Sequence, residues 1–306
     1  MSPLRVLLVA VAASVTTLLS GCGGSDGGSP ELLLVSTRDG DYAIYGMNAG
    51  GGNQNRLTDE VGDPSTPRGL LFQIEPAWSS DGSAIAFSSK REGSFDIYTM
   101  DADGEGTRRL TTSREDESHP SWAPDGDRLV FSMGTRSGDL YLVNRDGTGL
   151  RPLVVGRAHD REPAWSPDGR WIAFTRGTPG TSIRELWLVR PNGTGARRLT
   201  SLEAVSEAPA WSPDSKRVAF ATDVRNVQFD IYSVGVDGRG QRRLTVTADD
   251  SFEPAWAPDG ATIAYTEGGA IYSKEVAADP YAEGKRLTDS ATNDSSPEWR
   301  PAPPSE

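Results

Sequence analysis

The chain has 306 residues, 36% of them hydrophobic, with 31 basic against 43 acidic side chains and a net charge of −12. That balance argues against a nucleic-acid partner, which needs a basic stripe to displace counterions, and the composition is too polar for a polytopic membrane protein. The acidic excess favours cationic, metal-bearing or basic protein partners.

From the N-terminus, Arg5 supplies a positive start, and residues 6–19 form a mostly apolar stretch of 14 residues. That is short for a membrane-spanning helix and reads as an export signal. It ends in Leu19-Ser20-Gly21-Cys22, which resembles the bacterial lipobox, whose cysteine is lipidated on sulfur and becomes the new N-terminus. Cys22 is the only cysteine, so it has no disulfide partner within the chain. The following G-G-S-D-G-G-S-P is a flexible tether. The alternative is an ordinary secretory signal with a chance cysteine; either way the folded part is exported. The expected organisation is a lipoprotein signal peptide at 1–21, a tether at 22–30, a folded domain at 31–300 and a tail at 301–306. The expected address is the bacterial envelope, lipid-anchored, on the periplasmic or cell-surface side.

The rest of the chain is a repeat. Trp78, Trp122, Trp165, Trp211, Trp256 and Trp299 lie 44, 43, 46, 45 and 43 residues apart. Each of the first five opens W-[SA]-[SP]-D-[GS]-x-x-[IVL]-[AV]-[FY]. A period in the low forties with four short strands per unit is the signature of a β-propeller. In the second unit, Pro120-Ser121-Trp122 is a strand and Ala123-Pro124-Asp125-Gly126 a turn. Arg128 to Ser132, Asp139 to Val143 and Arg151 to Val154 are three more strands, the last two joined at an Asp-Gly turn. From Trp to the Phe or Tyr of the second strand is nine residues in all five complete cases.

The ends complete one another. The first unit holds strands two, three and four (Leu32 to Ser36, Ala43 to Met47, Arg56 to Thr58), and the last holds only strand one, Pro297 to Trp299. The expectation is an all-β, six-bladed propeller closed by pairing the C-terminal strand with the N-terminal three, which leaves no long exposed edges. Each Trp is expected to wedge between neighbouring blades. A single closed ring is expected to act as a monomer.

The phrases P-x-W-S-P-D-G-x-x-I-A-F, D-I-Y-x-M and D-G-x-x-x-R-R-L-T resemble the TolB-like, WD-type propeller repeat, over roughly residues 31–299 and most clearly at 75–111, 162–200 and 253–265. The resemblance implies the fold more than a function, since propellers host unrelated tasks. The Tol-system protein carries an α/β domain before its propeller and is released into the periplasm. Here an eight-residue tether follows Cys22, so the expectation is a lipoprotein variant without that domain.

In an up-and-down blade, the S-P-D-G and D-G turns share one face. The variable connections between strands two and three lie on the other. The uniform turns read as scaffold; the irregular face is where a partner is expected. Three residues before each Trp stand Glu75, His119, Glu162, Ala208, Glu253 and Ser296. Six before stand Phe72, Asp116, His159, Val205, Asp250 and Asn293, and five before, Glu117, Asp160 and Asp294 add charge. Set round an axis, these form a broken acidic ring at the channel mouth: a site for a cation, a metal or a basic side chain, or else solvated loop ends with paired charges. His119 and His159, the only histidines, fall in consecutive units, and with Glu117 and Glu162 could supply N and O ligands to a divalent cation, the kind of cluster that resemblance to oligogalacturonate-lyase-like propellers implies. No other cofactor is expected. One connection is nine residues longer than its counterparts and carries Leu70, Leu71 and Phe72, which would dock on a partner, plug the channel or pack on the next blade.

No nucleophile–base constellation is recognisable, so the preferred expectation is a non-enzymatic, membrane-tethered binding or scaffold module that recruits an envelope protein or cell-wall-linked ligand through the irregular face. The alternative is a carbohydrate-active lyase or hydrolase with its acid and base drawn from Glu75, His119, His159, Glu162 or Glu253.

Overall fold

The computed structural model describes residues 29–58, 72–134, 138–224 and 228–302. The signal segment, Cys22, Leu70 and Leu71 lie outside the described residues. Within them the strands assemble into six four-stranded antiparallel sheets, and the only helical element is a short 3-10 turn at Ser290–Thr292.

Blade I contains Leu32–Ser36, Ala43–Met47 and Asn55–Arg56, with Ser295–Trp299 as its innermost strand. The inner strands of blades II to VI are Gln73–Trp78, Glu117–Trp122, Asp160–Trp165, Ser206–Trp211 and Ser251–Trp256. Each inner strand touches the next, and the sixth meets the first, so the sheets close into a ring. Closure uses the register Leu32 to Trp299 and Leu33 to Glu298. Arg300 then reaches into blade II, donating to the Gly82 carbonyl at 2.8 Å and lying 5.2 Å from the Trp78 ring centre.

The tryptophans fill the seams. Trp122 packs with Ala84, Ala86, Ile97 and Leu110 of blade II as well as Leu129 and Phe131 of its own blade, and Trp211 packs with Ala173, Leu186, Leu188 and Leu199 of blade IV. Truncating such a wedge to alanine costs about 3–5 kcal/mol.

The polar letters of the repeat are internal fastenings. In the S-P-D-G turn, the serine hydroxyl donates to the aspartate at 2.7 Å (Ser166 to Asp168, Ser212 to Asp214) and accepts the N–H five residues on at 3.0 Å. The Ser79 hydroxyl is the leading reason that Asp81 is held down to about 2. In R-R-L-T, the threonine hydroxyl accepts a third-strand N–H in five blades, for example Ile97 at 2.9 Å and Ile231 at 2.8 Å. The second arginine donates to that threonine's carbonyl and pairs with the acid heading the third strand, as in Arg243 with Asp230 at 2.5 Å and Arg109 with Asp96 at 2.8 Å. The glycine of the third-to-fourth-strand turn seats on the preceding blade. A Cβ on Gly104 (φ +94) would stand 2.3 Å from the Leu57 carbonyl oxygen, so both conformation and space require glycine there.

The closing strand is the one element whose loss opens the ring. A chain ending at Asn293 is expected to lose cooperative unfolding, or to melt roughly 10 °C or more below the parent, as one blade is left three-stranded with both flanking seams exposed. Circular dichroism melts measure it, and coincident curves would refute this closure.

Candidate functional site

The inner strands enclose a channel of about 910 Å³ along the ring axis. Its geometry comes from a feature repeated six times. The residue three before each Trp takes a left-handed backbone conformation: Glu75 (φ 57), His119 (φ 54), Glu162 (φ 54), Ala208 (φ 51), Glu253 (φ 52) and Ser296 (φ 52). Each precedes a proline, and each inner strand shifts register at this point. A non-glycine residue in this region carries strain of order 1–3 kcal/mol, and the following proline already restricts it.

Three glutamates hold these kinks. Glu75 Oε2 accepts the backbone N–H of His119 at 2.6 Å and the Ser88 hydroxyl at 2.8 Å. Glu162 Oε2 accepts Ala208 N–H and the Thr175 hydroxyl, both at 2.8 Å. Glu253 Oε2 accepts Ser296 N–H at 2.7 Å and the Thr266 hydroxyl at 2.9 Å, and its Oε1 accepts the Ser296 hydroxyl at 3.0 Å. The glutamates sit on alternate blades, each clasping the next. These three glutamates line the channel and are also inter-blade fastenings.

The remaining expected residues divide. His119 faces the channel, with Nε2 3.1 Å from Glu75 Oε1. Asp116 and Asp250 accept the N–H groups of Phe95 and Phe229 on the preceding blade at 2.9 and 2.8 Å, so they cap a neighbouring loop. Glu117, Asp160 and Asp294 do not add charge to the mouth as expected. They are wholly buried and bond to the Thr111 hydroxyl, to Arg176 at 2.7 Å and to Arg38 at 3.2 Å respectively. Strand alternation turns them away from the axis, and burial raises the affinity of Glu117 and Asp160 for a proton. Phe72 is half-buried, stacked on Tyr42 at 4.9 Å and 5.9 Å from Phe95, so it packs across two blades.

His119, His159 and Glu162, expected as candidate metal ligands, have separate surroundings. Among the described residues no three His, Cys, Asp or Glu side chains are placed to hold a metal ion. His119 is turned to Glu75, Glu162 is engaged by Ala208 and Thr175, and His159 stands exposed.

Two channel carboxylates were not foreseen. Glu207, four before Trp211, lies 3.3 Å from Arg184. Desolvation first, then Glu162, raise it above the usual carboxylate range. Glu298 stands one residue before Trp299, where the other blades place Ala77, Ser121, Ala164, Ala210 and Ala255. That break in a run of small residues was a readable signal. Desolvation pushes Glu298 up to about 8. The channel continues past it to Pro124, Pro167, Pro213 and Pro258, turn residues of the uniform face, and to Pro301. Among the described residues, the channel lining contains Glu75, Glu162, Glu207, Glu253 and Glu298 against His119 and Arg300 as basic residues.

The comparisons place this architecture among known proteins. Residues 25–138 match the family model described as the TolB beta propeller domain. An uncharacterized protein of Agrobacterium fabrum is 31% identical over 121 residues, 38% of each chain. A TolB homolog of Chlorobium luteolum is 29% identical over 162 residues, 42% of this chain and 36% of that one. The chain thus spans under two fifths of the length of these curated relatives. The crystal structure of TolB from Acinetobacter baumannii superposes with a TM-score of 0.70 at 17% identity, covering 89% of this chain and 66% of that one.

The raised Glu298 has a pH consequence. Between the ordinary carboxylate value and about 8, the folded chain holds a proton that the unfolded chain has lost, so stability falls as pH rises through that window. Glu298→Gln removes this dependence. The melting temperature of the variant minus that of the parent is expected to grow by several degrees from pH 4.5 to pH 8.5; a difference that stays flat would contradict a desolvated Glu298.

Proposed function

We propose that this TolB-like β-propeller is an extracytoplasmic binding module, tethered to a bacterial envelope membrane by lipid on Cys22, that captures a basic segment of an envelope protein or a cationic group of a cell-wall-linked ligand at the mouth of its central channel. The observation that carries the reading is the acidic channel itself: of the five glutamates in its lining, Glu298 holds its proton near neutral pH, and Glu75, Glu162 and Glu253 face the channel against His119 and Arg300. Three of the five are locked across blade seams, so the negative field is pre-organised, and a cation entering it meets little reorganisation cost. Low-dielectric walls focus such a field and raise the rate of encounter with a partner of opposite charge. Similarity to TolB proteins supports an envelope setting, and the lipobox-like run ending at Cys22 supports the anchor.

Two expected outcomes follow. In a bacterial host, Cys22→Ser should move the chain from the membrane pellet to the soluble extracytoplasmic fraction; retention in the pellet would remove the lipid anchor from this reading. For the channel, the double variant Glu162→Gln, Glu253→Gln keeps each side-chain carbonyl as acceptor for the clasped N–H while deleting two charges. Calorimetric titration with a short oligolysine peptide should show binding to the parent that weakens with salt and falls at least tenfold in the variant. Equal affinities would overturn the electrostatic basis. Turnover of polygalacturonate by the parent, lost in His119→Gln, would instead favour a lyase built on the His119–Glu75 pair.

A further inference from the structure

The hairpin joining the third and fourth strands is built alike in five blades, with Asn48, Asp101, Asn144, Arg190 and Gly235 each donating N–H to the carbonyl four residues on. Two residues into the turn, Asp103, Asp146 and Asp237 accept the N–H of the residue two further on, at 3.1, 2.9 and 3.0 Å. Blade IV makes the same bond with a neutral side chain. Asn192 Oδ1 accepts Thr194 N–H at 3.0 Å and the Thr194 hydroxyl at 2.7 Å. The turn is preserved, the charge is gone, and with its oxygen committed Asn192 presents its amide N–H groups outward.

Two neighbouring positions also differ. Arg190 stands where blades I, II, III and V have Asn48, Asp101, Asn144 and Gly235, and Trp171 immediately precedes the second strand where blades II, III, V and VI have Ala84, Arg128, Arg217 and Thr262. These residues line a groove of about 400 Å³ with Gly169, Arg170 and Pro191, and among the described residues no carboxylate contributes to its wall, in a chain of net charge −12. The groove is held in shape. Trp171 packs on the core shared by blades IV and V. Arg197 lies 5.1 Å from its ring centre and is tied to the Val236 carbonyl at 2.6 Å. The Arg190 guanidinium lies 5.7 Å from the same ring centre, which lowers the entropy that an exposed arginine loses on binding. Arg170 and Arg190 form no ion pair with any described residue.

We infer that this groove on the uniform-turn face of blade IV is an oxyanion site, taking a carboxylate or phosphate group through Arg170, Arg190 and the Asn192 amide. A guanidinium fork matches either group in two-point contact. The site is separate from the acidic channel and of opposite charge, so it stands whether or not the channel binds a cation.

The test is a titration of the ¹⁵N-labelled chain with inorganic phosphate and, separately, with galacturonate, following the Trp171 indole N–H signal assigned by its absence in Trp171→Phe. A saturable shift is expected with at least one anion. Phosphate alone would point to a phosphate-bearing ligand, galacturonate alone to a uronic acid, and both to the shared oxyanion chemistry. Asn192→Asp restores the charge that the sister turns carry without removing the turn's hydrogen bond. It should weaken binding at least tenfold at an unchanged melting temperature, and Arg190→Gln should do the same. The inference is overturned if neither anion shifts the signal saturably, or if the shift survives in Asn192→Asp with its affinity unaltered.

Discussion

The structure depends on a backbone constraint repeated at every inner strand: a left-handed residue locked in front of a proline. Such a residue is unfavourable alone, and six of them would be a considerable burden on a protein whose net stability is of the order of ten kcal/mol. The kink is tolerated because the ring satisfies it from outside the strand. On alternate blades the N–H of the kinked residue is donated to a carboxylate of the preceding blade. The fastening is therefore a property of the closed ring and not of any one blade, which binds the shape of the channel to the integrity of the whole domain.

A second set of fastenings operates at the rim. The R-R-L-T arginines and threonines tie the outer strands to the third strands of their own blades. The first arginine of the pair reaches the next blade's turn, as in Arg108 to the Arg145 carbonyl and Arg197 to the Val236 carbonyl. The turn glycines press against the preceding blade's leucine carbonyl. Tryptophan occupies the space between these inner and outer ties. The seam is thus apolar in the middle and polar at both edges; Trp211 donates its indole N–H to the Ala164 carbonyl at 2.9 Å, whereas the indole N–H groups of Trp78, Trp122, Trp165, Trp256 and Trp299 are buried without an acceptor among the described residues.

Charge is distributed with the same economy. Carboxylates gather round the axis, where walls exclude water and the field adds up, whereas the turns of the uniform face carry isolated aspartates spent on their own loops. Blade IV departs from the pattern by placing Asn192 where three sister turns have Asp103, Asp146 and Asp237, with Arg190 two residues before it. A repeat protein offers its own internal comparison here: the shared hydrogen bonds show what the turn's backbone needs, and its charge is free to vary.

The fold was legible because its signals are local and periodic. Tryptophan spacing, the S-P-D-G turn and the complementary ends specify six four-stranded blades and their closure, and the structure has that architecture. Glu75, Glu162 and Glu253 were also found from spacing alone, since equal offsets from the tryptophans place them at one height on the axis. The sequence could not say which way side chains at neighbouring offsets turn. Strand alternation turns Glu117, Asp160 and Asp294 away from the axis into buried positions, while Glu207, one position further along, and Glu298 face the channel. Nor could it show that the mouth glutamates are clasps, or that His119 turns to Glu75. Periodicity determines the scaffold because each blade repeats one pattern of burial. Only the assembled ring decides which carboxylates meet water, a neighbour's N–H or one another, because those partners come from different blades and are more than forty residues apart in the chain.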